Sequence, residues 1–181
     1  MSEYAAFLRG MNVGGHRISN VELRAHFEEL GFLDVSTFRA SGNVIFANGP
    51  EEPHTETAAH LETGLESALG YAVPVFLRTK KEVKEIAAQQ PFEKPLIEAS
   101  KGKLQVMMLS SRPTAGARKE VLGLASDEDR LAFGERELYW LPSGGMLDSE
   151  LDFKLIGKLL GSATTRTKNT IEHIATKYFD G

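Results

Sequence analysis

The sequence predicts an α+β fold with a ferredoxin-like βαββαβ part at residues 1–79 and a second, smaller α+β part of similar βαββα order at residues 80–181. The first observation is the order of elements that hydrophobic periodicity indicates in the first half. The second is a set of capping and stop signals that bound the helices. The third is a proline in the sixth element, which this topology places on a sheet edge, where proline is tolerated.

The first four elements are a strand, a helix and a hairpin. "YAAFLRG" is short and apolar and predicts a buried strand at Tyr4–Leu8. Ser19 and Glu22 fit a capping box at the start of the next helix, and Gly31 supplies its stop. "DVSTFRASGNVIFAN" contains two β-prone runs broken by Ser-Gly, and so predicts a hairpin.

The next two elements complete the βαββαβ order. "PEEPHTETAAHLETGLESALG" has leucines spaced for one helix face and an acidic first turn, and "AVPVFLR" is a strand that contains Pro74. Tyr4, Phe7 and Phe46 are predicted to be core residues. The aromatic run by which RNA-recognition modules of this topology stack bases is absent from "SGNVIFAN".

The second half predicts a similar but less regular order. Thr79 and Glu82 fit a capping box for a helix to about Gln90, and "QQPFEKP" predicts a loop. The remaining predicted elements are a strand in "KLQVMMLS", a helix from Thr114, a hairpin in "DRLAFGERELYWL", a helix at Leu151–Leu160 and a last helix at Thr170–Tyr178. The recurring order is consistent with a second, incomplete copy of the first motif, but no repeat of residues is found that supports a duplication.

Composition excludes several classes of function. The chain has 181 residues, no cysteine and a net charge of −4, which excludes disulfides and thiolate metal sites and disfavours broad non-specific binding to nucleic acid. The N-terminus lacks the features of a secretory signal and no run is apolar enough to span a bilayer, so a cytoplasmic protein without membrane contact is predicted. Histidines and carboxylates lack metal-ligand spacing, so neither a metal nor a cofactor is predicted.

The stretch "FLRGMNVGGHR" is the strongest candidate for a binding site. The predicted topology puts the end of the first strand, the hairpin and the start of the first helix at one edge. Glycines let the backbone approach an anion, arginines bind it bidentately, and a helix N-terminus attracts it. The candidate ligand-binding residues at this edge are Arg9, Gly10, Asn12, Gly14, Gly15, Arg17, Arg39, Ser41 and Asn43. A phosphate-bearing ligand, either a nucleotide or single-stranded nucleic acid, is the favoured hypothesis.

Two alternatives remain open. In the first, the protein is an enzyme acting on a small phosphorylated or carboxylated substrate, with His16 as the acid–base residue. The sequence shows no carboxylate that would orient this histidine. In the second, the protein is an interaction domain, and its glycine-rich loop and hairpin are purely structural turns. Protein partners are not indicated by the sequence.

Three separated motifs resemble one family. "LRGMNVGG", "ASGNVIF" and "TTRTKNTIEHIA" are similar to motifs of the family known as domain of unknown function 1697. The resemblance implies a small cytoplasmic bacterial α+β protein with a ferredoxin-like part and no established activity. The residues that match the motifs are Arg9, Gly10, Asn12, Gly14, Gly15, Ser41, Gly42, Asn43, Thr165, Arg166, Asn169 and Thr170.

This chain departs from the family pattern at two places. Thr167 and Lys168 stand where the family usually has Asn-Trp, and Glu150 stands where a basic residue is expected. If the C-terminal helix packs back on the first part, Arg166 joins Arg9 and Arg39 as a ligand-binding residue.

Overall fold

The computed structural model of the chain describes residues 2–11, 15–39, 42–48 and 54–180. The chain divides into two compact units: unit 1 is Met1–Lys84 with Ile174–Gly181, and unit 2 is Glu85–His173. The fold is α+β, with one four-stranded antiparallel sheet in each half of the chain. Among the described residues, no helix has the length and apolarity needed to cross a bilayer.

The sheet of unit 1 has the ferredoxin-like strand order. Its strands are β1 Ser2–Leu8, β2 Leu33–Thr37, β3 Asn43–Asn48 and β4 Val75–Thr79, arranged β2-β3-β1-β4. The helices that connect and follow them are α1 Asn20–Glu29, α2 His54–Leu69 and α3 Lys80–Ala88. The predicted capping boxes of α1 and α3 are both present. As predicted, β4 is an edge strand, and Pro74 lies just before it.

The core of unit 1 lies between one face of this sheet and helices α1 and α2. Alternate residues of β1 face it, because side chains alternate along a strand. The core includes Tyr4, Ala6, Leu8, Leu23, Phe27, Phe32, Val44, Phe46, Leu61 and Leu65. Tyr4, Phe7 and Phe46 are each at most 1% exposed, so the prediction that these rings are core residues is confirmed. The strand rings therefore offer no surface on which a base could stack.

Unit 2 contains the second sheet. Its strands are β5 Gln105–Leu109, β6 Asp129–Phe133, β7 Glu137–Pro142 and β8 Ala163–Thr167, arranged β6-β7-β5-β8. The further helices of the second half are α4 Lys94–Ala99, α5 Ala115–Leu122, a 3₁₀ helix at Met146–Asp148, α6 Phe153–Leu160 and α7 Lys168–Phe179. The last part of α7, from Ile174, belongs to unit 1.

Two elements of the second half differ from the sequence-based expectation. Residues 94–99 form α4, which overlaps the end of the predicted loop "QQPFEKP". Pro95 lies in the first turn of α4, where a backbone N–H has no intrahelical acceptor, so its absence costs no hydrogen bond. Residues 163–167 form β8, which the pattern does not predict because "ATTRT" is short and polar. With β8, the predicted βαββα order of the second half becomes a complete βαββαβ.

The two units repeat each other in register as well as in order. Leu8 N donates to Gly42 O at 2.9 Å in unit 1, and Leu109 N donates to Arg136 O at 2.8 Å in unit 2. The last strand of each sheet leads directly into a helix, and these junctions align as "RTKKEVKEIAA" from Arg78 and "RTKNTIEHIAT" from Arg166. The two junction segments share five of eleven residues, a local match that accompanies the repeated order.

Candidate functional site

The C-terminal end of β1, the β2–β3 hairpin and the start of α1 meet at one edge of unit 1, here called the loop edge. Phe7 lies opposite Asn43 in the β1–β3 ladder, and Leu8 N donates to Gly42 O. The side-chain amide of Asn20, the first residue of α1, donates to Arg39 O at 3.1 Å. The predicted meeting of the glycine-rich loop and the hairpin is thus observed for the described residues.

Tyr71 fixes the two described ends of the glycine-rich loop. Its hydroxyl donates to Met11 O at 3.0 Å, and its ring stacks on that of His16 with centroids 3.7 Å apart and planes inclined by 22°. Arg17 Nη1 donates to the His16 carbonyl at 3.1 Å. His16 and Arg17 are exposed, whereas Met11 is buried. His16 and Arg17 therefore present an imidazole and a guanidinium to solvent.

The backbone of the hairpin holds Arg39 in a left-handed conformation, with φ of 60°. A non-glycine residue in this region is uncommon and is held there by its surroundings. Here the surrounding bonds are the one from Asn20 to Arg39 O and two between Phe38 and Asn43: Phe38 N donates to Asn43 O at 3.0 Å, and Asn43 Nδ2 donates to Phe38 O at 3.0 Å. Asn43 is only 1% exposed, so its side chain supports the hairpin from inside.

Two cations gather around the ring of Phe38. Arg39 Cζ lies 5.0 Å from the ring centroid and Lys177 Nζ lies 5.8 Å from it. Tyr178 meets the same ring edge-on at 6.2 Å, and its hydroxyl donates to Thr37 O at 3.4 Å. We call Phe38, Arg39, Lys177 and Tyr178 the basic cluster. Both of its cations are exposed, so an anion in solvent can reach them.

The other predicted ligand-binding residues fall into two groups. Arg9, Gly10 and Gly15 are exposed at the loop edge, with Arg9 N bonded to Pro74 O at 3.1 Å and φ values of 72° and 86° at the two glycines. Gly42, which matches a family motif and is not a predicted ligand-binding residue, has a positive φ of 76°, and a Cβ there would lie 3.2 Å from Leu8 O. Asn12, Gly14 and Ser41 lie outside the described residues.

The start of α1 is less suited to an anion than the sequence argument assumed. Ser19 Oγ accepts from Glu22 N at 3.1 Å, and the Glu22 carboxylate accepts from Ser19 N at 2.9 Å. This capping box brings a negative charge to the helix start, where it already complements the helix dipole. An anion at this edge would therefore be held by side chains of the loop and the basic cluster.

Arg166 lies on β8 in unit 2 and is buried, with 9% of its surface exposed. Its Nη1 donates to Thr164 Oγ1 at 2.8 Å and to Thr165 O at 3.0 Å. Burial lowers its pKa to about 10, because the charged form is desolvated. These contacts are those of a structural arginine, and the convergence of Arg166 with Arg9 stays a prediction.

Sequence reasoning did not find Phe38, Tyr71, Lys177 or Tyr178 as site residues. The excess of basic residues near the C-terminus was a signal for Lys177. Its contact with Phe38 could not be predicted, because the two residues lie far apart in the chain. The neighbouring hydrogen bond from Tyr178 to Thr37 spans 141 positions. Tyr71 carries no motif, and only the placement of the α2–β4 turn brings it to the loop.

The two alternative hypotheses have different support. For the hypothesis that the protein is an enzyme, the described partner of the His16 ring is the ring of Tyr71. This ring orients the imidazole but cannot exchange a proton with it through the stacked face. For the interaction domain, exposed large apolar side chains occur among the described residues of both units: Val21 and Leu33 in unit 1, and Leu122, Met146, Leu147 and Phe153 in unit 2. Val21 lies at the start of α1, which is part of the loop edge.

The repeated architecture supplies an internal comparison for the glycine-rich loop. In unit 1, residues 9–18 separate the end of β1 from the helix cap Ser19; in unit 2, residues 110–113 separate the end of β5 from the helix cap Thr114. Ten residues thus make a connection that four residues make in the equivalent place. The extra length, which includes the glycines and His16, is not required to join strand to helix.

Comparisons with known proteins agree with this fold. Residues 1–139 match the family described as "Protein of unknown function (DUF1697)". The conserved bacterial protein SP0830 from Streptococcus pneumoniae, whose structure is solved, aligns over 97% of each chain with a TM-score of 0.72 and 19% sequence identity. The comparison with curated proteins gives no match. The chain belongs to the DUF1697 family, which confirms the resemblance inferred from its motifs.

Proposed function

We propose that this family member binds a phosphate-bearing ligand, a nucleotide or single-stranded nucleic acid, at the loop edge of unit 1. The observation that carries the proposal is the gathering of Arg39 and Lys177 around Phe38, beside the hairpin that contacts the start of α1. Two exposed cations that share one ring repel each other, and a phosphate between or beside them relieves this repulsion while accepting hydrogen bonds from both.

The extra length of the β1–α1 loop supports the same conclusion. Unit 2 makes the equivalent connection with four residues, so the glycine-rich loop of unit 1 is longer than its structural task requires. Arg9 and Arg17 are exposed on this loop. With Arg39 and Lys177 they are four exposed basic side chains of unit 1 in a protein whose net charge is −4, and their convergence at the loop edge would attract anions.

The strained backbone at Arg39 also supports a role for its side chain. A left-handed residue other than glycine costs on the order of 1 kcal/mol. Glycine would remove that cost, and three hydrogen bonds from Asn20, Phe38 and Asn43 maintain the conformation regardless. The exposed guanidinium of Arg39, which lies 5.0 Å from the Phe38 ring centroid, is thereby presented at the loop edge.

The test is fluorescence anisotropy of a labelled, mixed-sequence single-stranded RNA at two salt concentrations, with inorganic pyrophosphate as competitor. The wild type is compared with Arg9→Ala and Arg39→Ala. Arg112→Ala is the matched control, because Arg112 is an exposed arginine in the equivalent loop of unit 2, ion-paired with Glu135 at 3.4 Å.

We expect binding that weakens as salt rises, that pyrophosphate competes away, and that falls in the two unit 1 variants but not in the control. The proposal is overturned if the wild type binds neither the RNA nor pyrophosphate. It is equally overturned if Arg112→Ala weakens binding as much as Arg39→Ala does.

A further inference from the structure

We infer that His16 is a stacking platform for a nucleobase, so that the loop edge binds the base of its ligand as well as the phosphate. The inference rests on the proposed phosphate binding and goes beyond it by assigning a base subsite. It also gives His16 a role other than proton transfer.

The geometry of the His16 ring carries the inference. One face of the imidazole lies on Tyr71, with centroids 3.7 Å apart and nearly parallel planes. His16 is nevertheless an exposed residue, and Tyr71 stacks on one face of its ring. A flat ring placed on that outer face would extend an existing stack to three members. Histidine and tyrosine are among the side chains on which proteins stack unpaired bases.

The platform is held in place before any ligand arrives. The Tyr71 hydroxyl donates to Met11 O at 3.0 Å, and Met11 is 5% exposed, so the ring beneath His16 is tied to buried backbone. Arg17 Nη1 bonds to the His16 carbonyl at 3.1 Å. A preordered platform loses little conformational entropy on binding, which favours affinity.

The base subsite is within reach of the phosphate subsite. His16 is four residues before Asn20, and four residues of extended chain span at most about 14 Å. The Asn20 side chain in turn contacts Arg39 O at 3.1 Å. This path limits the separation of the two subsites, and we place the base on His16 and the phosphate toward the basic cluster, in one nucleotide or in neighbouring nucleotides of a single strand.

Phe38 is the less suitable platform. Arg39, Lys177 and Tyr178 already surround its ring, and Phe38 is only partly exposed. A base on Phe38 would have to displace one of these side chains. A base on the outer face of His16 would break none of the contacts described above.

The experiment compares labelled oligo(dT) with an abasic strand of the same length, which has the same phosphates and no bases. The proteins are wild type, His16→Ala, His16→Phe and, as a matched control, His173→Ala, which removes another exposed histidine. A second arm uses the free ligands thymidine monophosphate and deoxyribose 5-phosphate, which separates single-strand binding from mononucleotide binding. Thermal melts monitored by circular dichroism check that each variant is folded.

We expect the wild type to bind oligo(dT) about tenfold or more tighter than the abasic strand, since stacking adds affinity for each base. His16→Ala should lose this difference while binding the abasic strand as before. His16→Phe should keep it, because phenylalanine stacks but cannot transfer a proton.

Other outcomes overturn the inference in distinguishable ways. Equal wild-type affinity for the two strands removes the base subsite and leaves phosphate binding intact. Loss of the difference in His16→Phe as well as His16→Ala rejects stacking as the role of His16. Failure of the wild type to bind either strand or either free ligand instead rejects the proposed function itself.

Discussion

The ring of His16 stacks on that of Tyr71, with centroids 3.7 Å apart. The contact joins the glycine-rich loop after β1 to the turn before β4 and leaves His16 exposed. From the sequence alone, the glycine-rich loop could not be distinguished from a simple turn. The structure shows that His16 stacks on a tyrosine that is itself hydrogen-bonded to the carbonyl of buried Met11. The predictions below follow from this contact and from the basic cluster.

Tyr71→Phe is expected to destabilise the protein by about 1 kcal/mol, because it removes the hydrogen bond to Met11 O and leaves that acceptor in a buried place. The stack on His16 is retained, so the preference for a base over an abasic strand should persist. Tyr71→Ala loses both contacts and should abolish that preference. Urea unfolding gives the stabilities, and anisotropy gives the affinities. Equal stability of wild type and Tyr71→Phe would contradict the anchoring role.

Arg39→Gly should separate stability from binding. Glycine relieves the left-handed backbone, φ 60°, and loses more entropy on folding, so the free energy of unfolding should change by less than about 1 kcal/mol. Phosphate affinity should nevertheless fall about fivefold or more, because a charge-assisted bond is lost. Calorimetric titration with pyrophosphate and thermal melts measure the two quantities. Unchanged affinity in a folded variant would remove Arg39 from the site.

Lys177→Met keeps most of the apolar stem over Phe38 and removes the charge. We expect weaker binding of single-stranded RNA and a salt dependence reduced by about one phosphate contact. Lys119→Met, at an exposed lysine on α5 of unit 2, is the control and should leave both quantities unchanged. Plots of affinity against salt concentration make the comparison. A slope equal to that of the wild type would contradict a role for Lys177.

Asn43→Ala is expected to cost roughly 1–3 kcal/mol, because the carbonyl of Phe38 loses its donor at a buried position. Any loss of affinity in this variant should follow from a displaced hairpin rather than from a lost ligand contact. Asn43 differs in this from Arg39, whose removal should leave stability nearly unchanged. Chemical denaturation of the two variants side by side measures this contrast. An Asn43→Ala protein as stable as wild type would refute the assignment.

Arg166→Ala should destabilise unit 2 by about 2–3 kcal/mol, since Thr164 Oγ1 and Thr165 O lose their donor and the packed stem is removed. Arg166→Met retains the stem and should cost less. Burial lowers the pKa of Arg166 to about 10 in the folded protein, so above pH 10 the unfolded chain binds more protons at this residue, and the free energy of unfolding gains a contribution that rises with pH.

The rise in stability above pH 10 that Arg166 contributes should be present in wild type and missing in Arg166→Met. Denaturant midpoints of the two proteins between pH 9.5 and 11.5, taken as a difference, isolate it from the titration of lysines and tyrosines, which both proteins share. Parallel pH profiles would show that burial does not weaken proton binding at Arg166.

Local signals determined most of the fold in advance. The capping boxes at Ser19–Glu22 and Thr79–Glu82 are contacts between residues three apart, so the sequence contains both partners and their spacing. Alternating and helical periodicities fixed the order of the first six elements, and Pro74 identified the edge strand. β8 was not predicted, because "ATTRT" has no apolar pattern of its own and forms a strand through its pairing with β5.

The sequence by itself determined the fold class, the βαββαβ order, the family and the exposed basic loop with Arg9 and Arg17. Only the tertiary structure showed which further side chains lie at the candidate site. Tyr71 reaches Met11 across 60 positions, and Tyr178 reaches Thr37 across 141. Contacts at such separations depend on where each helix packs on the sheet, a sum over many side chains, and no local pattern at either residue records it. The same packing buried Asn43, whose side chain supports the hairpin, and left Arg39, four residues earlier, exposed.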